Sequence, residues 1–324
     1  MVVLYFIIGA VIFLALMILI IACCVQSNSV TMHELFNEEM YGYKFLEDRF
    51  PPVKNEAEYM RDVKRGYEIC HDKTLVVSGL AYNLGRNSSK MLIKRLDYLA
   101  SVFKRVELVI YAADSKDDTM KHLRDAMKHC HYIKKLHLPE DEIDKTGCNR
   151  FLKMAKLRNV LIKHCRKIKT DYIMMIDCDM SGPTSKDGIA HSIRLMHEEE
   201  YGMVAANGLR NESSFDCVFS YLGYVYYDPI AAILEDGTEI TLLNLFTLWR
   251  GERLIRVQSA FCGAAIYDKR IIDQFDYDEH GEFCEHKTLN LKAWKDGEKM
   301  AINPNFILLS GVQGSAHKKD VKNK

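Results

Sequence analysis

The chain has 324 residues, 48% hydrophobic and 27% charged, with 44 basic and 44 acidic side chains for a formal net charge of +0. Nothing in that balance calls for nucleic acid or an acidic polymer as partner. The 10 cysteines include no C-x-x-C pair, so neither a zinc ribbon nor a thioredoxin-like centre is indicated.

The first segment, Val2 to Val25, carries no charge. As a helix it is about 36 Å long against a hydrocarbon core of about 30 Å, which predicts one transmembrane helix within 1–25. A cleaved signal peptide wants a basic n-region and an apolar core of roughly 7–15 residues, and this segment has neither. The stretch ending at Cys23 fits a lipoprotein cleavage box, but the same missing basic residues count against it. The flank Gln26 to Tyr43 has glutamates and no Lys or Arg, which favours a signal anchor with the bulk of the chain lumenal, in an ER- or Golgi-like compartment. Two N-x-S sequons, Asn87 and Asn211, agree with that side. From 26 to 73 the chain is polar, with Leu35, Phe36, Met40 and Tyr43 at helical spacing and a break at Pro51-Pro52, which reads as a stem.

An alternation follows: strand 74–80, helix 87–103, strand 106–112, helix 117–129, a short strand at 132–138, helix 150–167 and strand 172–176. Strands alternating with helices of this length predict an α/β fold with a mostly parallel sheet, whose ligands bind beyond the carboxyl ends of the strands. Polar residues collect at those ends: Ser78 to Asn83, Asp114 to Asp118, and Asp177 to Gly182. Beyond Ala190 the pattern is less regular, with strands at 202–209 and 256–268, an aromatic run ending at Asp228, and an acidic cluster at 276–286. There is no internal repeat.

Asp-x-Asp occurs twice, at Asp177/Asp179 and Asp276/Asp278, about as often as chance delivers in a chain with this many aspartates. Context separates the two, because only the first ends a strand of buried character. Two carboxylates on a ligand rim suit Mg2+ or Mn2+, which takes oxygen ligands and is completed by substrate phosphates. The competing reading is that both aspartates cap the following turn. Arg150 and Arg158 lie on one helical pattern. Arg158 is expected to meet a diphosphate through its fork of donors or to belong to a solvated basic face.

The order of "RFLKMAKLRN", "DYIMMIDCDMSG", "YVYYDPIAA", "FCGAAIY", "CEHKTLNLKAWKDG", "INPN" and "GSAH" resembles the GT-A class of nucleotide-sugar glycosyltransferases, and in detail the capsule-associated alpha-1,3-mannosyltransferase family. Cys178 inside the acidic motif and Pro229 to Ile233 after the Tyr-Asp pair depart from the family pattern. The resemblance covers about Thr74 to His317, leaving 318–324 as a basic tail. It implies a GT-A, Rossmann-like domain at 74–317 that moves a mannose-like hexose from a nucleotide-diphosphate sugar to a glycan or glycoconjugate hydroxyl. Retention is the outcome it implies, although Glu285 alone would suit inversion as well.

By the same resemblance Asp179 coordinates the metal, Asp177 contacts the nucleotide ribose or the metal's water shell, and His317 is the third protein contact. Ser78 and Asn83, from their place on the rim, and Asp114, by the resemblance, are expected around the nucleotide, with helix capping by Ser115 or Asp117 the competing reading of the Asp114 to Asp118 segment. Glu285 would act as general base on the acceptor side or simply favour a helix N-terminus. Asp228 would bind sugar hydroxyls or form a turn. A haloacid-dehalogenase-type phosphatase is the alternative enzyme, since it also sets Asp-x-Asp after a strand with a small hydroxyl such as Ser181 behind it. The G-D-x-x-x-D loop it requires is absent from the sequence. A non-catalytic glycan-binding relative is the third reading.

Overall fold

The computed structural model describes residues 42–52, 54–180, 182–210, 225–226, 229–239, 250–279 and 284–310. Among them no helix is long and apolar enough to cross a membrane. The Val2 to Val25 segment lies outside the described residues, as do Asp228 and His317.

The helices are α1 (Glu56–Cys70), α2 (Gly85–Ala100), α3 (Thr119–Met127), α4 (Arg150–Arg166), α5 (Lys186–Glu198), α6 (Lys269–Gln274) and α7 (Glu285–Lys295). The strands are β1 (Thr74–Leu80), β2 (Arg105–Tyr111), β3 (Ile133–His137), β4 (Tyr172–Asp177), β5 (Tyr201–Arg210), β6 (Val225–Tyr226), β7 (Ile233–Leu234), β8 (Ile255–Ser259), β9 (Ala264–Asp268) and β10 (Lys299–Ser310). They form one sheet in the order β3-β2-β1-β4-β9-β5-β10-β8-β7, with β6 on β5.

The expected parallel sheet holds for the first half, where β1 pairs in parallel with β2 and β4, and β2 with β3. The second half is mixed: β9 runs antiparallel between β4 and β5, and β8 antiparallel to β10. The single strand expected over 256–268 is two strands. Cys262 at φ 60° and Gly263 at φ 84° occupy left-handed backbone, which breaks the extended run and sends β8 and β9 to different neighbours.

Helices cover both faces. Leu92 and Leu96 of α2, Leu123 of α3 and Ile189 and Ile193 of α5 pack on one face with Ile69 of α1. Ala155 and Leu161 of α4, Ile271 of α6 and Leu289 of α7 pack on the other. Strand side chains alternate between the faces. On β4, Tyr172, Met174 and Ile176 face α2 while Ile173 and Met175 face α4. The chain steps from β1 to β2 and β3 on one side and to β4 on the other, so the topological switch point lies between the carboxyl ends of β1 and β4.

The stretch expected as a stem is packed against the domain from Gly42 onward. Phe45, 2% exposed, sits with Ile307 and Leu309 of β10. The Glu47 carboxylate accepts from the Ser185 hydroxyl, from the Asp187 N–H at 3.2 Å and from Arg250 Nη2 at 2.5 Å. On α1 the buried face is Tyr59, Val63, Gly66, Ile69 and Cys70, the spacing of an amphipathic helix. Gly66 lets α1 touch the α5 backbone, since a Cβ there would meet the Ala190 carbonyl oxygen at 2.0 Å. The domain's packed residues therefore begin ahead of Thr74.

Candidate active site

β4 is apolar up to Ile176 because it is an inner strand covered on both faces, and it stops where the carboxylates begin. The Asp177 N–H donates to the Gly263 carbonyl at 2.9 Å, and the Met180 N–H returns to the Asp177 carbonyl at 3.2 Å, closing a tight turn. Alternation through this turn puts Asp177 on the α4 face, buries Cys178 in the opposite core and leaves Asp179 exposed. The Cys178 sulfur packs on Gly79, where a Cβ would come within 2.6 Å of it. Burial, with Asp179 and Asp177 on either side, pushes the Cys178 thiol well above its ordinary pKa, so it offers no thiolate to a metal.

Asp177 meets a cation from α4. Arg158 Nη2 donates to Asp177 Oδ1 at 2.8 Å, and Arg158 Nε donates to Glu285 Oε1 at 3.0 Å. The guanidinium is 2% exposed and Glu285 8%, against 19% for Asp177. Burial alone would lower the Arg158 pKa. Asp177 and, behind it, Glu285 outweigh burial and hold it above its ordinary value. Neither expectation for Arg158 holds: its guanidinium lies neither on a solvated face nor open to a diphosphate, but serves as an internal counter-ion. Glu285 does open α7, yet its carboxylate is enclosed and committed to Arg158 rather than presented to solvent.

Two other rim residues also differ from expectation. Ser78 lies two residues short of the end of β1, on the α4 face, wholly buried beside Cys165. It is in the core because it stops short of the strand end, where both sheet faces are still covered by helices. Asn83 sits at φ 50° and fastens two loops together: its N–H donates to Ser115 Oγ at 3.1 Å, and its Oδ1 accepts from the Lys116 N–H at 2.7 Å. The same stitching continues through Leu84 to Thr119 and Gly85 to Asp117. Asp114 remains at the rim, half-buried, accepting from Lys145 Nζ and from the Tyr111 hydroxyl at 3.3 Å. Burial and then Asp114 push the Tyr111 phenol up to about 12. Lys145 was invisible to spacing arguments, because it comes from the irregular stretch between β3 and α4.

Asp177 and Asp179 stand together at the end of β4, with Arg158 set between Asp177 and Glu285. A hard divalent cation held by one or two carboxylates and completed by substrate phosphates fits this donor set. Among the described residues no group of three or more His, Cys, Asp or Glu is placed to hold a metal by itself.

No family model and no curated protein matches this chain. Solved structures similar to it include residues 1–349 of TarS from S. aureus in complex with UDP-GlcNAc, at 14% identity and TM-score 0.46 over 76% of this chain and 60% of that one. Another is the mannosyltransferase PcManGT from Pyrobaculum calidifontis in complex with GDP-Man and Mn2+, at 11% identity and TM-score 0.47 over 92% of this chain and 72% of that one. The chain thus spans less than two thirds of the TarS fragment. Likeness at this level speaks neither to donor nor to reaction.

Proposed function

We propose that the chain is a metal-dependent glycosyltransferase that moves a hexose, mannose-like by the sequence resemblance, from a nucleotide-diphosphate sugar to a glycan or glycoconjugate hydroxyl. The observation that carries this reading is the position of Asp177 and Asp179. They sit at the carboxyl end of β4 beside the switch point, Asp179 exposed and Asp177 fixed by Arg158 from below.

Asp179 and Asp177 would hold Mn2+ or Mg2+, which supplies neutralisation of the diphosphate charge when bound. The protein's own contribution is placement. The exposed Asp179 faces incoming substrate, and the buried Arg158 holds the Asp177 carboxylate in place. Glu285 holds the other side of the guanidinium, so it acts through Arg158 and positions Asp177 rather than deprotonating an acceptor. Asp114 with Lys145 edges the same rim at the end of β2 and suits the nucleoside hydroxyls. Asp228 and His317 are assigned to the acceptor sugar and the cation by the resemblance alone. Attachment to a membrane through Val2 to Val25, with the domain lumenal, belongs to the same proposal.

The test is a panel of nucleotide sugars with Mn2+, scored for donor hydrolysis and for transfer to simple glycosides. A donor consumed only with divalent cation supports the reading. Phosphate released from phosphomonoesters, with no donor used, would favour a phosphatase and reject it.

A further inference from the structure

His286 follows Glu285 on α7 and is enclosed at 1% exposure. Its ring stacks on Phe261 at 3.5 Å between centroids and 13° between planes, with Tyr277 edge-on at 5.7 Å. Its Nε2 lies 3.5 Å from Glu285 Oε1, the oxygen that also accepts from Arg158 Nε. Neither ring nitrogen has a hydrogen-bond partner, and the same is true of Arg158 Nη1 and the Tyr277 hydroxyl. Buried polar atoms are almost always paired, so several orphans on three adjoining side chains call for an explanation. Packing does not supply one, because an apolar ring would fill the space without stranding two nitrogens.

We infer that His286 is a positioning residue for Asp177, acting along two routes that begin at one imidazole. The first runs through side chains, from His286 to Glu285, from Glu285 to Arg158, and from Arg158 to Asp177 Oδ1. The second runs through backbone. The His286 ring clamps Phe261, and two residues on, Gly263 accepts the Asp177 N–H. Between them Cys262 and Gly263 hold left-handed backbone, which needs the packing around Phe261 to keep its shape. Arg158 lies over the same phenyl ring, 5.1 Å from its centroid, so both routes meet there. Burial, and then the Arg158 charge, keep the imidazole neutral, with one N–H to give. At 3.5 Å the contact with Glu285 is longer than a hydrogen bond, so the imidazole bears on the carboxylate as a neighbouring dipole and packing wall. The assignment rests on reading Asp177 as an acid of the donor site.

The test uses the full-length protein with 15N-labelled arginine, and Arg158 Nε–H is identified by the loss of its resonance in Arg158→Lys. His286→Phe keeps a flat ring on Phe261 and removes both nitrogens. It is expected to shift the Arg158 resonance and to weaken Mn2+-dependent binding of a nucleoside diphosphate about 10-fold. His286→Asn, which restores a donor, is expected to recover part of that affinity. Unchanged affinity in His286→Phe, with or without a shifted resonance, overturns the assignment. Should that variant fail to fold, His286→Leu, which also removes both nitrogens, is read in the same way. A wild-type protein that binds no nucleoside diphosphate overturns the donor-site reading and this assignment with it. Wild-type binding that survives the substitution overturns the assignment alone.

Discussion

Arg158 Nη2 stands 2.8 Å from Asp177 Oδ1, so the first acid of the rim is tied to a cation that is itself buried between two carboxylates. Removing one partner of a buried pair leaves an uncompensated charge, which destabilises more than the pair's own net worth. Arg158→Met is expected to lower stability by about 3–5 kcal/mol in chemical denaturation. Adding Glu285→Gln should recover part of the loss, because the two sites are coupled. Equal stability of wild type and Arg158→Met would mean that the bridge contributes nothing.

Asp179 is exposed. Asp179→Asn keeps the shape and removes the charge. Transfer with Mn2+ should drop by about 100-fold or more, as should Mn2+-dependent nucleotide binding, while the thermal midpoint stays put. EDTA should abolish wild-type transfer, and Mn2+ should restore it. Full activity in EDTA would take the cation out of the mechanism.

His191 supplies a pH dependence. It is buried on α5 against Asn303, and burial, assisted by Arg194, lowers its pKa to about 4 from an ordinary 6.5. The unfolded chain therefore binds a proton between pH 6.5 and about 4 that the folded chain refuses, so stability falls as pH falls through that window. The contribution lost is about 3 kcal/mol at the acid end. His191→Gln should flatten the stability curve over that range relative to wild type, and an unchanged slope would assign the acid sensitivity elsewhere.

The N-terminal segment makes a boundary prediction. A chain starting at Gly42 keeps Phe45 in its pocket and Glu47 on Arg250, whereas one starting at Asn55 loses both and strands the Arg250 guanidinium. The shorter chain should be less stable by roughly 3 kcal/mol or more, judged from one buried aromatic and one broken buried pair. Identical melting of the two would make the segment a mere connector. Deleting residues 1–30 should leave a folded, soluble protein. Fractionation of the full chain with cytosol would refute the anchor.

Local pattern was enough to read the alternating first half, the end of β4 and the two aspartates there, because strand and helix periods and the apolar run of Tyr172 to Ile176 are properties of neighbouring residues. The helix α1 was missed, because the polar run from 26 to 73 read as a stem although Tyr59, Val63, Gly66 and Cys70 share its buried face. What the sequence by itself could not decide is which side chains share a space. Ser78 was placed at the rim by its position in the chain, and the strand runs on to Leu80 under helices on both faces, which leaves Ser78 in the core. Arg158 was expected to meet a diphosphate or solvent, and the packing of α4 under β4 gave it Asp177 and Glu285 instead. Phe261, Glu285 and His286 come from segments far from Asp177 in sequence, and no spacing rule links them. Periodicity reports burial one element at a time, whereas a buried charge is settled by whichever opposite charge the tertiary fold brings within reach.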